Sequence, residues 1–217
     1  MKQFSGVCAA IVIENSDPEK SGRVKVRFAD LGGSGEKGAE EWARVATLMA
    51  GDNRGTWFMP DVDDEVLVAF EAGDMRRPYV IGALWSGVDS PPETMDAENT
   101  KKVLRSRNGV KVTLDDHNGN ESFVVETPGG QRLVLEDGPG AIEITDSNGN
   151  SVKLEVRGVT VSASAKVCVN AAAVELNAST LLVSAGVAKF SGVVQCDTLI
   201  SNSVISASYT PGAGNIL

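Results

Sequence analysis

Residues 108–158 read NGVKVTLDDHNGNESFVVETPGGQRLVLEDGPGAIEITDSNGNSVKLEVRG, and this stretch decides the fold class. Turn signals recur at Asn108-Gly109, Asn118-Gly119, Pro128-Gly129-Gly130, Gly138-Pro139-Gly140 and Asn148-Gly149. Asn-Gly is favoured where the chain must take a positive φ, which a side chain normally obstructs. Between the turns lie VKVTL, SFVVE, RLVLE, AIEIT and SVKLEV, each alternating as a half-buried strand does. The apolar set advances by about ten residues each time, the period of a β-stack or solenoid.

Further on, VTVSASA, KVCVNA, AAVELNA and TLLVSAG keep period two, but alanine and serine replace the bulky residues. Charges become sparse after Gly158. Small side chains on thin strands predict a narrowing cross-section. One chain cannot close such an object, because each short strand offers a single apolar face and a slender solenoid has little interior. Three chains winding together would bury those faces and pair the edges. The pattern therefore predicts a homotrimeric β-helix, roughly 50 Å long at ~4.8 Å per stacked strand.

The first part of the chain differs in kind. All three tryptophans (Trp42, Trp57, Trp85), Tyr79 and four of the six phenylalanines precede residue 90. Five strands are expected near 6–14, 22–30, 42–49, 65–71 and 78–85, with DLGGSGEKGAEE as a long loop. RVKVRF alternates basic and apolar residues, as an antiparallel strand with one wet face should. Five strands with one long excursion suit a small closed barrel of the OB type. The stretch SGVDSPPETMDAENTKK has two prolines, several acids and no apolar period, which marks a boundary.

Bulk properties narrow the function classes. A net charge of −9 and a pI near 4.7 argue against a nucleic-acid binder, which needs a basic footprint. No run approaches the ~20 apolar residues that span a bilayer. The start, MKQFSGVCAAIVIENSDPEK, is a poor signal peptide and reads as the first strand, so synthesis and assembly in the bacterial cytoplasm are expected. Cys8, Cys168 and Cys196 form no CxxC pair and are expected to be buried free thiols.

A family resemblance rests on Met59–Trp85, MPDVDDEVLVAFEAGDMRRPYVIGALW. It resembles the signature of phage baseplate assembly protein V, whose barrel also occurs in VgrG spike proteins of type VI secretion systems. Gly22–Phe28 (GRVKVRF), Trp42–Ala46 (WARVA) and Gly55–Pro60 (GTWFMP) support it, so the likeness covers almost all of the first domain. Asp63 departs from the pattern, standing where relatives commonly carry glycine.

The resemblance implies an all-β protein: an OB-fold collar over 1–89, a linker over 90–100, a trimeric β-helical spike over 101–208 and a tip platform over 209–217. It implies a structural, non-enzymatic part of the baseplate of a phage or phage-tail-like injection system, with no cofactor. The collar would sit on a separate hub protein, and the target membrane would be met mechanically. Short spikes of this family hold iron in a His-x-His tip, whereas the single histidine here is His117, so no metal apex is expected. The closing SYTPGAGNIL looks like a blunt end that receives a PAAR-type tip protein. Tyr209, Thr210, Pro211, Gly212, Ala213, Gly214, Asn215, Ile216 and Leu217 would then form the platform.

The remaining motifs read as structural. Asp63-Asp64 and Asp115-Asp116 are adjacent acids in turns, not carboxylates spaced across a cleft. DDHNGN and DSNGN lack the ligand alternation and terminal glutamate of a calcium loop. His117 has no partner for a nucleophilic triad. Lys101, Lys102, Arg105, Arg107 and Lys111 form the one basic run, either a contact for a neighbour's acidic barrel or the hub protein or, the favoured reading, a solvated collar; Arg76 and Arg77 read as turn residues facing solvent or hub. The Asn120 and Asn177 sequons carry no weight without a secretory signal. Two rivals remain: a β-helical carbohydrate-active enzyme, which needs clustered acids and aromatics, and a glycan- or receptor-binding module, which needs exposed aromatics. The tryptophan pattern suggests core.

Overall fold

The computed structural model describes residue 4 and residues 6–29, 38–138 and 140–208. The chain clusters into two units, residues 1–167 and 168–217. The first unit contains every strand found among the described residues.

Strands β1 (Val7–Glu14), β2 (Arg23–Phe28), β3 (Ala39–Val45), β6 (Glu65–Phe70) and β7 (Pro78–Ala83) close a barrel in the order β1-β2-β3-β7-β6. All its pairings are antiparallel except β3 with β7, where Arg44 meets Tyr79 and Val45 meets Val80. Alternation builds the core. In RVKVRF, Val24, Val26 and Phe28 are buried, while Arg23, Lys25 and Arg27 face outward. Val12, Ala43, Val66, Val68 and Val80 fill the rest, and Phe28 and Phe4 lean on Phe70 with ring centroids 5.5 and 5.1 Å away. Each buried valine contributes on the order of 1.5–3 kcal/mol of transfer free energy.

Loops and charge pairs finish the barrel wall. The β1–β2 loop is tied by Asp17, whose carboxylate accepts from the backbone N–H of Glu19, Ser21 and Arg23 and pairs with the Arg23 guanidinium at 2.8 Å. On the outer face of β2 and β3, Glu40 bridges Lys25 and Arg27 at 3.2 and 2.9 Å. That bridge lies in a part of β3 whose sequence, Ala39-Glu40-Glu41, reads as loop. The strand starts at Ala39, because Ala39, Glu40 and Glu41 continue the ladder opposite Phe28, Arg27 and Val26. A two-residue hairpin, β4 (Ala50–Gly51) with β5 (Arg54–Gly55), was not expected, since strands that short have no period to read.

Seven further strands follow: β8 (Lys101–Arg105), β9 (Lys111–Asp115), β10 (Ser122–Glu126), β11 (Arg132–Glu136), β12 (Ala141–Thr145), β13 (Ser151–Glu155) and β14 (Gly158–Ser162). They form one antiparallel sheet in strict chain order. The connecting glycines Gly109, Gly119, Gly130, Gly140 and Gly149 all have positive φ, as the Asn-Gly and Gly-rich signals require. The first hairpin is clipped to the barrel side of the unit by Arg107–Asp61 at 2.7 Å and Lys111–Glu93 at 3.6 Å.

Beyond Ser162 no described residue lies in a strand, and every described side chain from Gly158 onward is exposed. The alternation in KVCVNA, AAVELNA and TLLVSAG finds no ladder within one chain. Extended segments form strands only when another segment satisfies their N–H and C=O groups.

Candidate functional site

The register of the seven-stranded sheet sorts its side chains onto two faces. One face carries two columns. The first runs Lys102, Leu114, Phe123, Leu135, Ile142, Leu154, Val159. The second runs Leu104, Val112, Val125, Leu133, Ile144, Val152, Val161. Lys102 is the single polar member of the two columns. The opposite face has a central row of Val103, Thr113, Val124, Val134, Glu143, Lys153 and Thr160, flanked by mostly charged or hydroxyl residues at both strand ends.

The apolar face has no lid. Leu104 is 57% exposed, Ile144 51% and Val161 57%, and Val134 is the sheet's one buried hydrophobic residue. A cavity of about 570 Å³ opens on this face, lined by Val125, Leu133, Ile144, Val152, Val161 and Val167 among others. A contiguous patch of this size, repeated over seven strands, marks an interaction surface.

The turns keep the strands in regular register. Ser106, Thr127 and Asp146 open three successive turns on one edge, and each accepts through its side chain from the N–H four residues on: Val110, Gln131 and Asn150. These turns stack. A Cβ on Gly109 would meet Pro128 and one on Gly130 would meet Ser147, at 3.2 and 3.3 Å. Asn150 extends the column by accepting from the Ser164 N–H at 2.9 Å. Asp146 also accepts from the Asn150 side-chain amide at 2.7 Å, and this bond leads the backbone N–H bonds in drawing its carboxyl down to about 2.

An uncovered apolar face needs a partner, and the sequence comparisons say which. Residues 122–186 match the phage baseplate V C-terminal trimerisation domain, and residues 8–85 match the type VI secretion system and phage-baseplate injector OB domain. The chain belongs to the phage baseplate V and VgrG-like family. The trimerisation match begins at β10 and runs through the uncovered strands into the second unit.

Relatives in the family include the spike proteins VgrG1b of Pseudomonas aeruginosa, 27% identical over 55% of this chain, and VgrG4b of the same organism, 32% identical over 49%. VgrG3 of Vibrio cholerae is 31% identical over 48%. These matches span 17%, 14% and 11% of the respective relatives' lengths, so the chain corresponds to a minor part of each. The actin cross-linking toxin VgrG1 of Vibrio cholerae is matched over 10% of its length.

Tyr209–Leu217, the expected tip platform, lies outside the described residues. Asp63 and Asp64 sit in a turn where Asp63 donates its N–H to the Val12 carbonyl and Asp64 accepts from the Asp61 N–H. Asp115 accepts from the His117 N–H, and His117 is exposed in its turn. Among the described residues no group of three His, Cys, Asp or Glu side chains converges as metal ligands do. The basic run is split by the strand geometry: Lys102 falls on the apolar face, Lys101 and Arg105 on the other, and Arg107 reaches Asp61. Arg76 and Arg77 pair locally with Asp74 and Glu71.

Two expectations are corrected. The tryptophans are not core: Trp57 is 76% exposed and Trp85 70%, and Trp42 lies on the outer wall with Arg23 above its ring at 5.5 Å. Ala43 takes the inward position of β3, so its neighbour Trp42 must point out. The thiols are not uniformly buried either, since Cys168 and Cys196 are exposed and Cys8 alone packs against the barrel core.

Proposed function

We propose that three copies of this chain form the central spike of a contractile tail or phage-tail-like injection system. The observation that carries this is the uncovered apolar face, thirteen hydrophobic side chains in fourteen positions, ten of which lie on β10–β14 where the trimerisation family matches. Five-residue strands make a wall about 17 Å wide at ~3.4 Å per residue. Three such walls joined at their edges each stand about 5 Å from the common axis, half the ~10 Å spacing of packed sheets. Four would stand about 8 Å away and leave a hollow. Closing the prism removes the apolar face from water, and continuing it past Ser162 gives the tapering strands partners from neighbouring chains.

The mechanism is then mechanical. The barrels seat on a separate hub protein, the β-helical needle over 101–208 transmits compression, and the segment 209–217 receives a PAAR-type cap. No residue is assigned a chemical step, and assembly takes place in the bacterial cytoplasm before firing. The test is the solution mass and urea resistance of the full chain against a fragment ending at residue 99, which keeps the closed barrel. A resistant trimer that becomes a less resistant species on truncation supports the spike; a stable full-length monomer overturns it.

A glycan- or receptor-binding module is the second reading, favoured by the exposure of Trp57 and Phe58 beside a cavity of about 620 Å³. Quenching of tryptophan fluorescence by glycans, lost in Trp57→Ala, would favour it.

A further inference from the structure

The same register that defines the apolar face separates charge between the two ends of the strands. At the end formed by the turns after β8 and β10 stand Arg105, Arg107, Lys111 and Arg132. At the opposite end stand Asp115, Asp116, Glu121, Glu136 and Asp137. The segregation is not complete. Glu126 and Asp146 lie at the basic end, the latter bound within its own turn, and Lys101 and Arg157 lie at the acidic end. Asp115, Arg132 and Glu136 make no ion pair with any described residue, and Lys111 has only Glu93 at 3.6 Å.

A three-fold assembly cannot join like edges. Its interface is heterologous, so the basic end of one copy's sheet meets the acidic end of the next. Rotation about the axis leaves each strand at its own height. Lys111 and Asp115 are the two ends of β9, and Arg132 and Glu136 are the two ends of β11, all four on the polar face. Rotation therefore brings each base to the corner where the acid of the same strand arrives from the neighbour.

We propose that Lys111 pairs with Asp115 of the partner subunit and Arg132 with Glu136 of the partner subunit, an ion-pair seam at each corner of the prism. The proposal rests on the trimer with its apolar faces inward. The apolar face supplies adhesion but tolerates sliding, because neighbouring rows of Leu, Ile and Val are nearly interchangeable. The seam adds what that face lacks. It fixes the direction in which copies join and the height at which they stop, the role charge complementarity plays at interfaces. The long stems of Lys111 and Arg132 let their charged heads reach round the corner.

Three full-length variants test it: D115K/E136K, K111E/R132E, and the exchange carrying all four changes. Sedimentation gives the mass, and urea dissociation is followed at 0.05 M and 1 M NaCl. Reversal of either end makes the trimer weaker by on the order of 100-fold at low salt, for two solvent-screened pairs at each of three interfaces. The loss shrinks at high salt, where screening acts over ~3 Å. The fourfold exchange recovers most of the low-salt loss; the remainder is repulsion within each chain, since the changes at 111 and 132 face Glu126, that at 111 also loses Glu93, and that at 115 faces Lys101. An equal mixture of the two half-reversed chains recovers part of the loss but not the wild-type midpoint, because a ring of two and one has two corners of opposite charge and one of like charge. Half-reversed variants with wild-type midpoints, a fourfold exchange no stronger than its halves, or a mixture no stronger than either half-reversed chain alone would each overturn the seam while leaving the trimer standing. A wild-type chain that is not trimeric overturns both.

Discussion

The barrel and the antiparallel sheet are made from strands of the same alternating kind, yet they end in opposite states. The barrel curls its strands until the apolar faces meet each other, and nine side chains, from Ala10 and Val12 to Val68 and Val80, are buried within one chain. The sheet, with more strands, buries Val134 alone. Closure is what differs. Five barrel strands return to pair β1 with β6, whereas β8 and β14 stay at opposite ends of their sheet. A sheet that cannot close on itself carries its core half-made, and the missing half is a requirement for other copies.

The comparison breaks most sharply at Ile144, which sits mid-face on β12 between Leu133 and Val152. Ile144→Asp places a charge where the trimer needs an apolar contact, at a cost of several kcal/mol per copy. Sedimentation is expected to show loss of the trimer. The fluorescence of the tryptophans, all in the first 89 residues, stays unchanged because the barrel closes without help. Phe28→Ala does the reverse. It empties the barrel centre beside Phe70, with an expected loss of about 3–5 kcal/mol in the urea unfolding of the barrel. The mass stays trimeric at urea concentrations where the barrel has melted.

Much of this contrast is legible in the sequence, and what is not has a physical cause. Val24-Lys25-Val26-Arg27-Phe28 reads as a one-sided strand because its polar and apolar residues alternate without exception. Gly109, Gly119 and Gly149 read as turns because Asn precedes each. The start of β3 is hidden, since Glu40 and Glu41 look like loop residues until Lys25 and Arg27 are known to lie opposite. Which side of β3 Trp42 faces depends on parity against the core, which Ala43 decides and composition does not. The charged ends of the sheet are invisible for a similar reason. Lys111 and Asp115 stand four residues apart in sequence, and only the register shows that each belongs to a separate column. Past Ser162 the period is plain, but the partner strands it calls for are absent from a single chain.

Acid distinguishes the two regions by a smaller amount. Asp146 in the sheet turn is held at about 2 from an ordinary 3.8, chiefly by the Asn150 side chain and then by backbone N–H groups. In the barrel, Asp17 is held well below the usual carboxylate range, chiefly by the Arg23 guanidinium. Both folded pKa values are depressed, so both contributions are complete above about pH 4 and are lost as pH falls through the folded value. The turn's contribution is largely gone near pH 2, while that of Asp17 fades at lower pH still. Urea midpoints read between pH 6 and pH 2 are expected to fall less in Asp146→Ala than in the wild type for the sheet transition, with the barrel transition alike in both. An equal fall in both proteins would remove Asp146 from the acid response.

The smallest expected effect is confined to the barrel and has the opposite sign. Asp63 has a φ of 77°, in the left-handed region that a Cβ disfavours, at the position where the family resemblance leads one to expect glycine. Its N–H is committed to the Val12 carbonyl at 2.8 Å, so the turn cannot relax without breaking a bond to β1. Asp63→Gly keeps that bond and removes the obstruction, partly offset by the greater freedom of glycine in the unfolded chain. The barrel is expected to gain roughly 0.5–1 kcal/mol, read as a higher urea midpoint, with the trimer mass unchanged. Asp63→Ala keeps the Cβ and forfeits the short polar side chain that makes this region tolerable, so its midpoint should fall. If glycine and alanine shift the midpoint in the same direction, the backbone conformation is not what limits this turn.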